Sequence, residues 1–229
     1  MFERIEKLIG EENLEKIKSK TVCVVGLGGV GGYAVEGLVR SGIEKFILVD
    51  YDTIDVSNLN RQIITTCKNI LSYKTDAAER RIKEINPNCC VIKLTRQLDR
   101  DNIEELFEFS FDYLIDACDT IMVKEELIKR CLEKGIRFIC SMGTGNKMNP
   151  SELEIMDIRK TSYDPIAKRI RKYLRDQHIC GKVMVVCSRE KGEKFQGNIP
   201  SMMFVPATSG ILCASYIIKD IIYNNSSIS

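Results

Sequence analysis

A short β-branched run, TVCVV (Thr21–Val25), leads without a spacer into GLGGVG (26–31) and then into a helical pattern that reaches Arg40. That order constrains the chain more than any other feature in it. Glycines between a strand and a helix permit a tight turn, an approach of backbone to phosphate, and close packing of helix on strand. Gly26, Gly28 and Gly31 stand where those three needs fall. The N–H groups and dipole at the start of such a helix favour an anion. KFILVD (45–50) is a second strand, and it ends in Asp50, where folds of this kind set a carboxylate against ribose hydroxyls. The segment reads as a nucleotide site, with the identity of the nucleotide open.

The alternation continues. A helix capped by Ser72 runs to Ile85, CVIKLT (90–95) is a strand, and a helix follows over 102–108. DYLIDA (112–117) is a fourth strand, a helix over 123–134 stops at Gly135, and IRFICS (136–141) is a fifth strand. Strand and helix in turn imply an α/β fold, Rossmann-like, with a mostly parallel sheet covered on both faces. Beyond Gly145 the rhythm changes. ELEIMDI (152–158) alternates as a strand, Asp164 and Pro165 open the helix PIAKRIRKYLR, VMVVC (183–187) is another strand, and a last helix spans 209–223. The expected organisation is a single domain over 1–229. It has a nucleotide-binding core (1–145) and a basic, substrate-binding strand and helix cap (146–229) on the same sheet.

The 44% hydrophobic content allows a sizeable core. No run of 18 apolar residues occurs, and residues 207–218 read as a buried helix rather than a membrane span. The N-terminus is charged and lacks an apolar signal core, so a cytoplasmic protein with no membrane contact is expected. Ten cysteines are scattered through apolar runs without a CxxC pair, and His178 is the only histidine. The expectation is free thiols and no zinc. Cys187, at a strand end, is a candidate reactive thiol, whereas Cys118 is assigned to packing.

DVSNLNRQ (55–62) adds polar groups that a dinucleotide site does not need. Asp52, Asn58, Arg61 and Gln62 follow Asp50, and Lys74 opens the next helix. Arg61 and Lys74 place two cations near the phosphate loop, which suits a triphosphate whose charge builds on departing pyrophosphate. DACD (116–119) closes the fourth strand at the edge where ligands bind. Asp119 either holds Mg²⁺ against the phosphates or caps the following helix. Asp116 either joins the site or bonds to backbone. Asp157 and Asp164 either position RNA or a monovalent cation, or are strand-end and cap residues.

GLGGVG, LVDYD, SNLNRQ, Lys74 and DACD in succession resemble the ubiquitin-activating superfamily and the ThiF-type adenylyltransferases within it, over about residues 22–145. The resemblance implies that Gly29, Asp50, Asn58, Arg61, Lys74 and Asp119 contact ATP or Mg²⁺. It also implies attack of a carboxylate on the α-phosphate. Arg4, in FERIEKLIG, resembles the arginine that such enzymes project into a partner subunit's site, which implies a homodimer.

Residues 143–175, GTGNKMNPSELEIMDIRKTSYDPIAKRIRKYLR, resemble the tRNA threonylcarbamoyladenosine dehydratases, as do LIGEE near the start and FVPATSGILCASYIIKD near the end. That family implies ATP, Mg²⁺ and a K⁺ or Na⁺ ion as cofactors. Its partners would be modified tRNA, a second copy and a sulfur-relay protein. Residues 159–194 carry 11 Lys and Arg against 4 Asp and Glu, although the whole chain is only +2. Lys168, Arg169, Arg171, Lys172 and Arg175, with Lys182, Arg189, Lys191 and Lys194 beyond, are candidate RNA contacts. A sulfur-carrier adenylyltransferase, a nicotinamide-dependent oxidoreductase and an inactive nucleotide-binding scaffold remain as rivals.

Overall fold

The structure is a computed structural model, and it describes residues 1–192, 197 and 199–224. Seven strands form one sheet: β1 (Thr21–Val25), β2 (Lys45–Val49), β3 (Cys90–Leu94), β4 (Tyr113–Asp116), β5 (Arg137–Ser141), β6 (Leu153–Asp157) and β7 (Met184–Ser188). Their order across the sheet is β3-β2-β1-β4-β5-β7-β6, with every pairing parallel except β6 on β7. β1 therefore has β2 on one side and β4 on the other. The direction of winding reverses between β1 and β4, and the carboxyl ends of these strands part into a crevice.

Period-2 geometry splits each apolar strand between two cores. Val22 and Val24 face one side, where α3 (Gly31–Arg40), α4 (Lys74–Ile85) and α8 (Phe204–Tyr223) pack. Cys23 and Val25 face the other, against α5 (Ile103–Leu106), α6 (Ile121–Lys134) and α7 (Pro165–Asp176). Helices thus cover both faces, as the alternation of elements implies. β3, at one edge, is mostly exposed.

Several boundaries differ from the sequence reading for local physical reasons. The N-terminal pattern is two helices, α1 (Glu3–Ile9) and α2 (Glu11–Ser19), broken at Gly10, whose φ is +85°. Ser72 is not the cap of α4: Tyr73 holds that position and no side chain caps it. The fifth helix is a single turn, shorter than its acidic run implies. α6 ends as expected, on the left-handed Gly135.

The largest correction concerns α8. It begins at Phe204, five residues early, with Pro206 tolerated in its first turn. It is long and apolar enough to cross a membrane, yet it packs along α3 and forms part of the core. Small residues make this possible. A Cβ on Gly210 would lie 2.2 Å from the Val30 carbonyl oxygen, so the α8 backbone touches the end of the glycine turn itself. Lateral clamps complete this face. Glu36 of α3 accepts from Arg81 of α4 and Arg40 of its own helix, and Asp220 of α8 accepts from the Tyr113 hydroxyl at 3.0 Å.

Gly210→Ala is expected to cost about 3 kcal/mol, the upper range for overpacking, because the neighbour is backbone and cannot swing away. Chemical denaturation measures this, and an unchanged midpoint would contradict the tight α3–α8 seam.

Candidate active site

The crevice between β1 and β4 opens into a cleft of about 330 Å³. Its floor is the glycine turn. Gly26 has φ +88°, and a Cβ on Gly31 would sit 1.8 Å from the Gly26 carbonyl oxygen, so the turn closes on itself only with glycine at both ends. Gly28 and Gly29 form the wall between them and line the cleft. α3 starts with no side-chain cap, so its first turn offers the positive end of the helix to an anion.

Asp50 locks this turn. Its Oδ2 accepts the Leu27 N–H at 2.6 Å and its Oδ1 the Asp52 N–H at 2.9 Å. Burial raises its pKa above the usual aspartate value, opposed by Lys74 and the two N–H groups. Lys74 is buried at the start of α4, and its Nζ lies 2.5 Å from Asp52 Oδ2. The lysine is thus held by one carboxylate beside another, with its charge turned toward the cleft.

DVSNLNRQ folds into successive tight turns. Asp55 caps a single 3₁₀ turn (Val56–Asn58) by accepting the Ser57 N–H at 2.8 Å, and Asn58 Oδ1 accepts the Asp55 N–H in return. The Arg61 and Gln62 N–H groups then bond to the Asn58 carbonyl. These turns bring Asn58, Arg61 and Gln62 to the cleft wall. The Arg61 guanidinium is held by the Ser57 carbonyl at 2.8 Å and Asn60 Oδ1 at 2.9 Å, leaving further donors free for a ligand.

On the opposite wall, Asp116 is fully buried and pairs with Lys124 of α6, whose Nζ also donates to the Ser141 carbonyl at 2.9 Å. Burial alone would lower the Lys124 pKa, but Asp116 reverses that effect and raises it. This is the structural alternative for Asp116. Asp119 does not cap the following helix. α6 begins after Thr120 with no side-chain cap, and the exposed Asp119 carboxylate touches only the Thr120 hydroxyl, at 3.5 Å. Its oxygens are free to join a hydrated Mg²⁺, which takes few protein ligands.

Cys118 packs against the core as expected, and it also borders the cleft and donates to Asp116 Oδ1 at 3.1 Å. Burial first, then Asp116, push its thiol well above the usual range, so it is a poor nucleophile. Cys187 is buried and pushed up to about 11, chiefly by desolvation. Among the described residues no three His, Cys, Asp or Glu side chains gather to hold a metal.

The basic helix α7 is capped by Asp164, which accepts the Ala167 N–H at 2.9 Å. Lys168, Arg169, Lys172 and Arg175 are exposed on it. Arg171 is a correction: it is half-buried, and its guanidinium is engaged by the Thr161 hydroxyl and carbonyl. Lys182, Arg189 and Lys191 are exposed, Arg189 being paired with Glu154; Lys194 lies outside the described residues. Asp157 caps a 3₁₀ turn, and Asp164 caps α7 and holds the amine of Lys147 at 3.0 Å, so both are cap residues. Arg4 sits exposed on α1, outside the cleft of its own chain.

Sequence reasoning missed Tyr51, Arg96, Leu98, Thr144 and Ser201, which also line the cleft. Tyr51 and Arg96 follow the last residues of β2 and β3 closely, and position at a parallel strand's carboxyl end is the signal that finds them. Thr144 and Ser201 come from distant loops and have no such signal.

Residues 2–222 match the ThiF family. The chain belongs to that family. ThiF-family relatives include the tRNA threonylcarbamoyladenosine dehydratase of Bacillus subtilis, 40% identical over 96% of this chain and 94% of the relative. The Escherichia coli dehydratase is 35% identical over 74% of this chain and 63% of the relative. Two solved structures of the E. coli enzyme superpose closely. One, in complex with AMP, gives a TM-score of 0.91 at 32% identity and covers 96% of this chain and 93% of that one. The other, in complex with ATP, gives 0.92 at 31% and covers 97% and 94%.

Lys124→Met is expected to destabilise the fold by about 3–5 kcal/mol, since it strands the Asp116 charge in the core. Adding Asp116→Leu to it should recover most of the loss. Urea denaturation of the single and double variants checks both.

Proposed function

We propose that this ThiF-family chain uses ATP as co-substrate to dehydrate N6-threonylcarbamoyladenosine in tRNA to its cyclic form, with release of AMP and pyrophosphate. The observation that supports this most directly is the near full-length similarity to the B. subtilis dehydratase. The E. coli complexes, with ATP in one and AMP in the other, hold a reactant and a product of the same overall conversion.

The site residues carry the chemistry as follows. The Gly28–Gly29 backbone and the open end of α3 cradle phosphate oxygens, while Asp50 holds the turn rigid and faces the ribose. Asn58 and Gln62 line the wall beside the phosphates, and Asp52 steadies Lys74. The threonyl carboxylate attacks the α-phosphorus, and the bond to the bridging oxygen of the β-phosphate breaks. The electron pair leaves on pyrophosphate, whose growing charge Arg61 and Lys74 offset. Asp119 is the residue that would hold Mg²⁺, which when bound would supply further charge neutralisation at the phosphates. The carbamoyl group, already attached to the same residue, then closes on the activated carbonyl and expels AMP. This step is intramolecular and needs little further catalysis.

Arg4 acts in trans: a second copy of the chain delivers α1 to the neighbouring cleft, which makes the working enzyme a homodimer. Lys168, Arg169, Lys172 and Arg175 follow the RNA backbone. A tRNA substrate is consistent with a cytoplasmic enzyme.

Arg61→Ala and Asp119→Ala should each lower AMP release by at least about 100-fold, with the thermal midpoint unchanged, because neither side chain supports the core. Full turnover in either variant would refute the assignment. Labelled pyrophosphate exchange supported by a carrier protein and not by modified tRNA would transfer the activity to sulfur-carrier activation.

Lys172→Ala should weaken RNA binding and reduce the slope of log affinity against log salt by about 1. Arg171→Ala should instead lower stability, since its guanidinium bonds within the fold. Filter binding across a salt series and thermal denaturation separate the two.

A further inference from the structure

A second cavity, of about 500 Å³, lies beside the nucleotide cleft and is lined by Lys147, Met148, Glu190, Pro200, Ser201 and Met202 among others. Ser201 belongs to both spaces. Its carbonyl accepts from Asn60 Nδ2 at 3.0 Å, so the wall between them is tied to the neighbour of Arg61. The two spaces therefore adjoin at Ser201.

The cavity is built on fixed supports. Lys147 is buried and donates to the Gly143 carbonyl at 2.6 Å and to Asp164 at 3.0 Å. Glu190 accepts the Met148 N–H at 2.9 Å and the Asn149 N–H at 2.8 Å, which joins the loop after β5 to the loop after β7. Its rim is soft and apolar: Met148 is 65% exposed and Met202 44%. Methionines adapt to flat, polarisable surfaces. Asp164, the partner of Lys147, is also the cap of α7, so the basic helix, about 18 Å long, begins next to a residue that lines this cavity.

The geometry points to the second cavity as the seat of the carboxylate-bearing nucleotide, resting on the tRNA reading above. The RNA backbone lies along the exposed cations of α7. The modified base is splayed out, as proteins take unpaired bases, against Met148 and Met202. Its threonyl carboxylate then passes Ser201 toward the α-phosphate beside Arg61. A protein tail is disfavoured as occupant, because the helix that begins beside the cavity exposes Lys168, Arg169, Lys172 and Arg175, a run of cations suited to an extended polyanion.

The test uses the full chain with an anticodon stem-loop RNA carrying threonylcarbamoyladenosine, and follows AMP release. Met148→Glu and Met202→Glu place an anion at the exposed rim without touching the core. Each is expected to raise KM for the RNA about tenfold while KM for ATP stays within a factor of about two; Met148→Leu should behave as the parent. Unchanged RNA KM in both glutamate variants would overturn the proposal, as would a parallel rise in KM for ATP, which would assign the rim to the nucleotide. If the parent chain itself leaves the RNA unaltered and releases AMP only with a carrier protein, the tRNA reading fails first. The same glutamate variants tested with that carrier then show whether the cavity takes a protein tail.

Discussion

One buried ion pair holds the catalytic edge in place. Lys124 reaches from α6 to Asp116 at the end of β4 and to the Ser141 carbonyl at the end of β5, so three elements share one charge. The cost of burying that charge is offset only because every donor of the amine finds an oxygen. The consequence is positional. Cys118 is hydrogen-bonded back to Asp116, and Asp119, one residue further, stands out at the cleft with its carboxylate exposed and bonded to the Thr120 hydroxyl. A rigid buried aspartate thus presents an exposed one.

The same logic repeats on the facing wall. Asp50 spends one oxygen on Leu27 and one on Asp52, and by doing so fixes the glycine turn relative to the second strand. Asp52 in turn orients Lys74. Along both walls, the groups nearest the core hold backbone, and those one or two residues farther out remain available to a ligand. Pre-organisation of this kind lets charges act on a transition state without rearranging.

Much of this was legible along the chain. The strand, glycine turn and helix required a parallel sheet, and the glycines could be given separate duties before any coordinates. Gly31 and Gly26 meet as that reading demands. The helices of the last third were legible only in part. The Asp164–Pro165 start of α7 is a local signal and was found, whereas the early start of α8 at Phe204 was not, because Pro206 reads as a breaker unless the first turn is recognised. Arg171 looked like its neighbours in charge and spacing. Its bonds to Thr161, ten residues away, depend on how a loop folds back, and no local pattern records that.

The sequence by itself determined the fold class, the edge of the sheet where the cleft opens and most of the residues that line it, since these follow from short-range periodicity and from glycines with one workable conformation. Tertiary structure decided which charges are spent and which are free: Asp116 against Asp119, Arg171 against Lys172. It also brought Ser201 to the border of two cavities from more than eighty residues away from Asp119. The reason is physical. The fate of a charge depends on what lies within hydrogen-bonding reach in space, and that neighbourhood is assembled from segments that share no pattern along the chain.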